Sequence, residues 1–149
     1  MRIVLEPHEV ATALRTQVRE VTAARTTRDG TLEIDVTLKV GPMHVAGTAA
    51  VRDVTVEGGQ LRAVADVHAG RLRAPGFALR VALARLWRPE RTSLPPGAVD
   101  ISVSGSTMLV AVDVRALADV LARDMGTRIV VDRVEIAGDV TIVATLAPA

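Results

Sequence analysis

Cysteine is absent from this chain of 149 residues, which removes disulfide bridges, thiolate metal sites and thiol nucleophiles together. Aromatic residues are nearly absent: Phe77 and Trp87 stand alone. The core must therefore be built from Val, Leu, Ile and Ala, and the chain has little with which to stack bases or sugars. Lysine occurs once, as Lys39, and the other basic residues are arginines; 18 basic against 17 acidic residues leave a formal charge of +1. A near-neutral chain lacks the electrostatic footprint of a nucleic-acid binder, so no nucleic acid is expected as a partner. No apolar run approaches the ~20 residues that span a bilayer, and Met1 to Pro7 is too short for a signal peptide's apolar region. The expected location is cytoplasmic; a chain trimmed of an export leader would read the same way if Met1 were an added start.

Catalytic patterns are equally scarce. There is no HExxH, no metal-ligand spacing, no P-loop and no GxGxxG, so metal, nucleotide and cofactor chemistry have no anchor. Ser104-Gly105-Ser106-Thr107 reads as a hairpin turn rather than as a nucleophile's surroundings. Glu33 and Asp35 fall on the outer face of an alternating strand, and Asp113 is placed to cap a helix rather than to work with Asp119. No catalytic residue is nominated, and the chain is not expected to be an enzyme.

What is there is alternation. Met43 to His68 reads as two strands folded back at Gly58-Gly59, because both glycines can take the positive φ of a tight primed turn. Near the turn Glu57 faces Gln60, Val56 faces Leu61 and Val54 faces Ala63. Strict register beyond that would set Val51 against Asp66 and Ala49 against His68, mixing the two faces. A β-bulge at Arg52-Asp53 restores Val51 to Ala65 and Ala49 to Val67, and it bends the strand that carries it; the plainer alternative is a break in the strand. With the bulge, His68 faces Thr48 and His44 faces about Leu72, so the two histidines are not neighbours.

The length suits a single domain, 1–149. Pro7 opens a helix that the spacing of Val10, Leu14, Val18 and Val21 carries to Val21, with Arg15 and Arg19 off that stripe. A strand begins by Ala24 and turns at Asp29-Gly30. Thr31 to Val40 alternates strictly, Leu32, Ile34, Val36, Leu38 and Val40 against Glu33, Asp35, Thr37 and Lys39. Leu79, Leu83, Leu86 and Trp87 make a stripe about 100° wide on a helix from Phe77 to Trp87, which Pro89 ends before a loop from Arg91 to Gly97. A hairpin turning near Gly105-Ser106 follows, then a helix from Arg115 to Met125 capped by Asp113, then a last hairpin turning at Gly138-Asp139. The fold class is α+β, a strongly curved and mainly antiparallel sheet built from hairpins with three helices, in the order α-β-β-β-α-β-β-α-β-β. Val10 to Leu38 and Leu117 to Leu146 share an α-β-β pattern, which fits either duplication or convergent patterning.

Between Arg71 and Arg91 six arginines accompany one acid, Glu90. A basic amphipathic helix ending in Trp87 suits an anionic membrane surface or an acidic partner, with Arg73, Arg80 and Arg88 as contacts; the alternative is a solvated face on a core-packed helix.

The opening Leu5-Glu6-Pro7-His8-Glu9-Val10 with Leu14, the V-E-G-G-Q-L hairpin, the G-R-L-R-A-P-G-F exit into a helix and the closing V-E-I-A-G-D-V-T-I hairpin together resemble the layout of bacterial tubular lipid-binding (TULIP-like) proteins, including the LmeA-like group. The resemblance covers most of the chain and is one of pattern. It implies a long helix cradled by a bent antiparallel sheet, with an apolar groove for acyl chains, and no catalytic residues. Members of that group are generally exported or membrane-anchored, whereas this chain shows neither leader nor anchor. The functional expectation is carriage of a lipid or other apolar ligand in a groove lined by Leu32, Ile34, Val36, Val45, Leu61, Val67, Leu79 and Leu83. The alternative is a structural module whose apolar face meets another protein, such as a second copy in a homo-oligomer.

Overall fold

The computed structural model describes residues 1–88, 90, 94–122 and 126–148. In chain order the elements are β1 (Arg2–Leu5), α1 (Pro7–Gln17), β2 (Val21–Thr26), β3 (Leu32–Val40), β4 (Met43–Glu57), β5 (Gln60–Ala69), β6 (Leu72–Arg73), α2 (Gly76–Leu86), β7 (Val99–Ser104), β8 (Thr107–Asp113), α3 (Val114–Ala122), β9 (Thr127–Ala137) and β10 (Asp139–Pro148). The fold is α+β with a curved antiparallel sheet and the expected order of helices and hairpins. β1 and the two-residue β6 are additions to that order. The expected end of α3 at Met125, Pro89, and residues 91–93 of the loop expected from Arg91 to Gly97 lie outside the described residues.

Two sheets form. The larger runs β2-β3-β4-β5-β8-β7, with β6 also pairing β5, and it does not close into a barrel; the smaller runs β1-β10-β9. The β4–β5 turn is the tight one expected, with Gly58 at φ 60° and Gly59 at φ 78°, values that an L side chain adopts only with strain. Register then follows the sequence reading. Val56 faces Leu61, Val51 faces Ala65, Ala49 faces Val67 and Thr48 faces His68, with a shift between Arg52 and Thr55. Asp53 and Val54 thus stand opposite the single residue Ala63. Asp53 absorbs the extra residue in the left-handed region at φ 55°, which Asp tolerates better than a β-branched residue would.

The bulge divides β4 between two neighbours. Its first half pairs with β3, Leu32 opposite Val51 through Val40 opposite Met43. Its second half runs beside β9. At one end of that stretch Gly30 lies against the Ile136 carbonyl, and at the other Gly58 and Gly59 share a cleft with Arg128 to Val131.

Directly opposed residues of antiparallel strands share a face, so the pairings place one apolar layer across the large sheet. Leu32, Val51, Ala65, Met108 and Val103 make one row; Ile34, Ala49 and Val67 make another; Val56, Leu61, Val112 and Val99 make a third. The opposite face carries Arg25, Glu33, Asp35, Thr48, Arg52, Asp66 and Arg73.

Three expectations are corrected. α1 ends at Gln17 rather than Val21: Val18 is extended at φ −130°, and Val21 opens β2 opposite Val36, where it is buried. Both are β-branched and fit a ladder at least as well as a helix, so the tertiary pairing wins. His44 stands opposite Lys39, not Leu72, because β6 folds back onto β5 and Leu72 faces Ala69. The long helix implied by the resemblance is absent among the described residues, where α1 and α2 have 11 residues each.

The buried residues are small. Of the deeply buried apolar side chains among the described residues most are alanines, including Ala63, Ala65, Ala118 and Ala144, and Leu79 is the one large side chain fully enclosed. The molecule exposes 9,260 Å², whereas a compact monomer of 15.7 kDa exposes about 7,300 Å². Much apolar surface is therefore left uncovered, and Met43, Val45, Leu72, Phe77 and Val81 are all exposed.

Candidate functional site

α2 is the element that organises the surroundings of the large sheet. It starts where Gly76 meets the β7–β8 turn, so closely that a Cβ on Gly76 would fall less than 3.0 Å from the Gly105 carbonyl oxygen. It ends beside the α1–β2 junction, where Arg85, Leu86 and Arg88 share a cleft with Arg15, Thr16, Gln17, Arg19 and Glu20. One helix thus links two distant margins of a curved sheet.

The eight residues expected to line a groove divide. Leu32, Ile34, Val36, Leu61 and Val67 share the apolar face of the large sheet and are half-buried, and Val45 shares that face but is 42 % exposed near the far end of β4. Leu79, at 1 % exposed, is enclosed in the core and is no part of an open wall; helical spacing gives the side a residue faces but not its depth. Leu83 is half-buried on α2.

The three arginines expected to act together do not gather. Arg73 belongs to the polar face, where its guanidinium donates to Asp66 at 2.7 Å and to Thr107 Oγ1 at 2.8 Å. Arg80 lies near the start of α2 and Arg88 beyond its end. On the outside of α2, Phe77 and Val81, one turn apart, are 72 % and 55 % exposed, and Leu72 is more exposed still.

A different basic group assembles instead. Arg19 and Glu20 from the α1–β2 junction, Thr37, Leu38 and Lys39 from β3, His44 from β4, and Arg85 and Arg88 from the end of α2 line a cleft of about 540 Å³. The junction is fixed by Arg15, which donates to the Val21 and Thr22 carbonyls at 2.9 and 3.0 Å, and by the Thr37 N–H donating to the Glu20 carbonyl at 3.0 Å. Sequence reading missed this cleft because its cations come from three places far apart in the chain, the α1–β2 junction, β3 and the end of α2. The local signs stood apart: Arg85 and Arg88 belong to the basic stretch from Arg71 to Arg91, and Arg19 lies off the apolar stripe of α1.

The polar face of the large sheet is laced by two networks. Arg25 reaches Glu33 at 2.7 Å and Asp35 at 2.6 Å, and Thr48 donates to Asp35. Asp66 accepts from Arg52, Arg73 and Thr107, which joins β4 at the bulge to β6 and β8. The Arg25 hydrogen bond, helped by Thr48, holds the Asp35 carboxyl below its ordinary value. Burial pushes Asp66 upward, but Arg52, Arg73 and Thr107 outweigh it, so that carboxyl also ends below its ordinary value of about 3.8. A depressed folded value means that the stabilisation is present above about pH 4 and is lost as pH falls through the folded value. Asp66→Asn should therefore lower stability at neutral pH by about 1–2 kcal/mol and flatten the acid limb. Urea midpoints at about pH 7 and about pH 3 check this, and an equal loss at both would contradict it.

At the start of α1, Glu6, His8 and Glu9 bring ligand-type atoms within 4.8 Å of one another, but all three are exposed and His8 Nδ1 lies 3.2 Å from the Glu6 carboxylate. This is an exposed surface cluster and carries no metal assignment. Among the described residues no helix is long and apolar enough to cross a membrane. Compared with known protein families, curated proteins and solved structures, the chain matches none.

Proposed function

We propose that the protein binds a lipid or similar apolar ligand, without catalysis, between α2 and the apolar face of the large sheet. The observation that carries this reading is a continuous apolar layer over the seven-stranded sheet whose large residues stay only half-buried, on a molecule exposing about 2,000 Å² more than a compact monomer of its mass. An acyl chain laid along Ile34, Val36, Val45 and Val67 gains roughly 25 cal/mol per Å² of apolar surface removed from water. The pattern resemblance to tubular lipid-binding proteins points the same way. The outer side of α2 adds a means of delivery: Phe77, Val81 and Leu72 with Arg80 suit the interface of an anionic membrane, apolar groups in the acyl boundary and the guanidinium at phosphates.

Native mass spectrometry of protein purified from cells, with displacement of a fluorescent fatty acid, tests the reading. Co-purifying lipid and micromolar displacement are expected, both weakened at least tenfold by Val67→Asp, which sets a charge on the apolar face. An empty protein that displaces nothing would remove the proposal.

The same uncovered surface favours a second reading, a homo-oligomer, because a standard interface buries only about 800 Å² per partner. Sedimentation separates the two: a ligand carrier stays monomeric when stripped of lipid, and an assembly module shows concentration-dependent association.

A further inference from the structure

We propose that the cleft between the α1–β2 junction, the β3–β4 end and the C-terminal end of α2 binds a phosphoryl group. Arg19, Lys39, Arg85 and Arg88 converge on it from α1–β2, β3 and the end of α2, and among the described residues Glu20 is the one acid in its wall. None of these four cations makes a hydrogen bond or ion pair with any other described residue. That sets them apart from Arg25, Arg52, Arg73 and Arg133, each of which holds a carboxylate. Cations near helix C-termini can be accounted for by the partial negative charge there. Arg85 does lie in the last turn of α2, but that charge does not fix its guanidinium, and among the described residues the four cleft cations donate to no backbone carbonyl, unlike Arg15, which donates to Val21 and Thr22 of β2.

Unpaired like charges held in one concavity repel one another, and an anion relieves this. Four cations against one carboxylate leave a formal excess of three, which a phosphoryl dianion offsets further than a carboxylate does. The forked guanidiniums of Arg19, Arg85 and Arg88 suit its oxygens, and Lys39 supplies a point charge. A cleft of about 540 Å³ also leaves room for the organic group that carries the phosphate. The site does not depend on the apolar ligand proposed above, since its walls share no residue with the apolar layer other than Leu38.

Titration calorimetry with inorganic phosphate and with glycerol 3-phosphate, and co-sedimentation with phosphatidylcholine vesicles containing phosphatidic acid, test the proposal at low ionic strength. Arg19→Ala, Lys39→Ala and Arg85→Ala remove exposed side chains and should leave the fold in place, which circular dichroism checks. Arg133→Ala, on β9 and paired with Glu135, loses the same charge elsewhere. Saturable millimolar binding is expected, weakened roughly tenfold by each cleft substitution and unchanged by Arg133→Ala. Binding of the soluble phosphates identifies a free phosphorylated ligand. Binding only to phosphatidic acid vesicles, lost in the same three variants, identifies a lipid headgroup, and either result supports the site. No binding of any probe, or a loss with Arg133→Ala equal to that with Arg85→Ala, overturns it.

Discussion

Gly76→Ala should destabilise the protein by about 2 kcal/mol, and lower its melting temperature by roughly 4–8 °C, although in an ordinary helix the same change gains up to ~1 kcal/mol. The sign reverses because the new methyl has nowhere to go. Its ideal position lies less than 3.0 Å from the Gly105 carbonyl oxygen, a backbone atom of the β7–β8 turn that cannot rotate aside. Either α2 lifts from the turn or the turn shifts, and each loosens packing between α2 and its neighbours. Gly58→Ala probes a different physics: a Cβ there meets open space, and its cost comes from φ 60°. Urea denaturation separates the causes, since Gly58→Asn, which tolerates the left-handed region, should cost less than Gly58→Ala, whereas no side chain fits at position 76. A Gly76→Ala protein as stable as the parent would show that α2 does not sit against Gly105.

Leu79→Ala should cost about 3 kcal/mol, within the 2–5 kcal/mol typical of buried leucines. In most domains this is one loss among many. Here Leu79 is the one large side chain fully enclosed among the described residues, while its buried companions are chiefly alanines, so no neighbouring bulk exists to collapse into the hole. Set against the 5–15 kcal/mol total of a typical domain, the loss would bring the protein near the edge of unfolding at 37 °C. Leu79→Met, which keeps volume, should cost less than about 1.5 kcal/mol. Phe77→Ala, two residues away but 72 % exposed, should be close to neutral in stability. Equal effects of Leu79→Ala and Phe77→Ala would contradict the assigned face of α2.

The hairpins were legible because alternation and paired glycines are local signals, and the bulge at Arg52-Asp53 was legible because a change of phase in β4 has to be absorbed somewhere. Depth was not legible: Leu79 and Leu83 lie on one helical stripe, yet one is enclosed and the other half-open. Charge partners were not legible either. Arg73 and Arg80 are close in sequence, but Asp66 on β5 and Thr107 on β8 claim the first. Most of what escaped is non-local in this sense, including the meeting of Arg19 with Arg85.

The pairing of β1 with β10 sets an order of assembly. Ile3 finds Ile142 and Leu5 finds Val140, and the Met1 amino group donates to the Ala144 carbonyl across 143 positions. The β4–β5 hairpin can close as soon as its turn leaves the ribosome, but the first strand has no partner until nearly the last strand has been made. Closing so large a loop costs entropy that only the finished ladder returns. Until then Ile3 and Val4 wait on an unpaired strand. The small sheet therefore closes only after the large sheet has been made, and until then its empty edge is where a half-made chain is most exposed to capture by other chains.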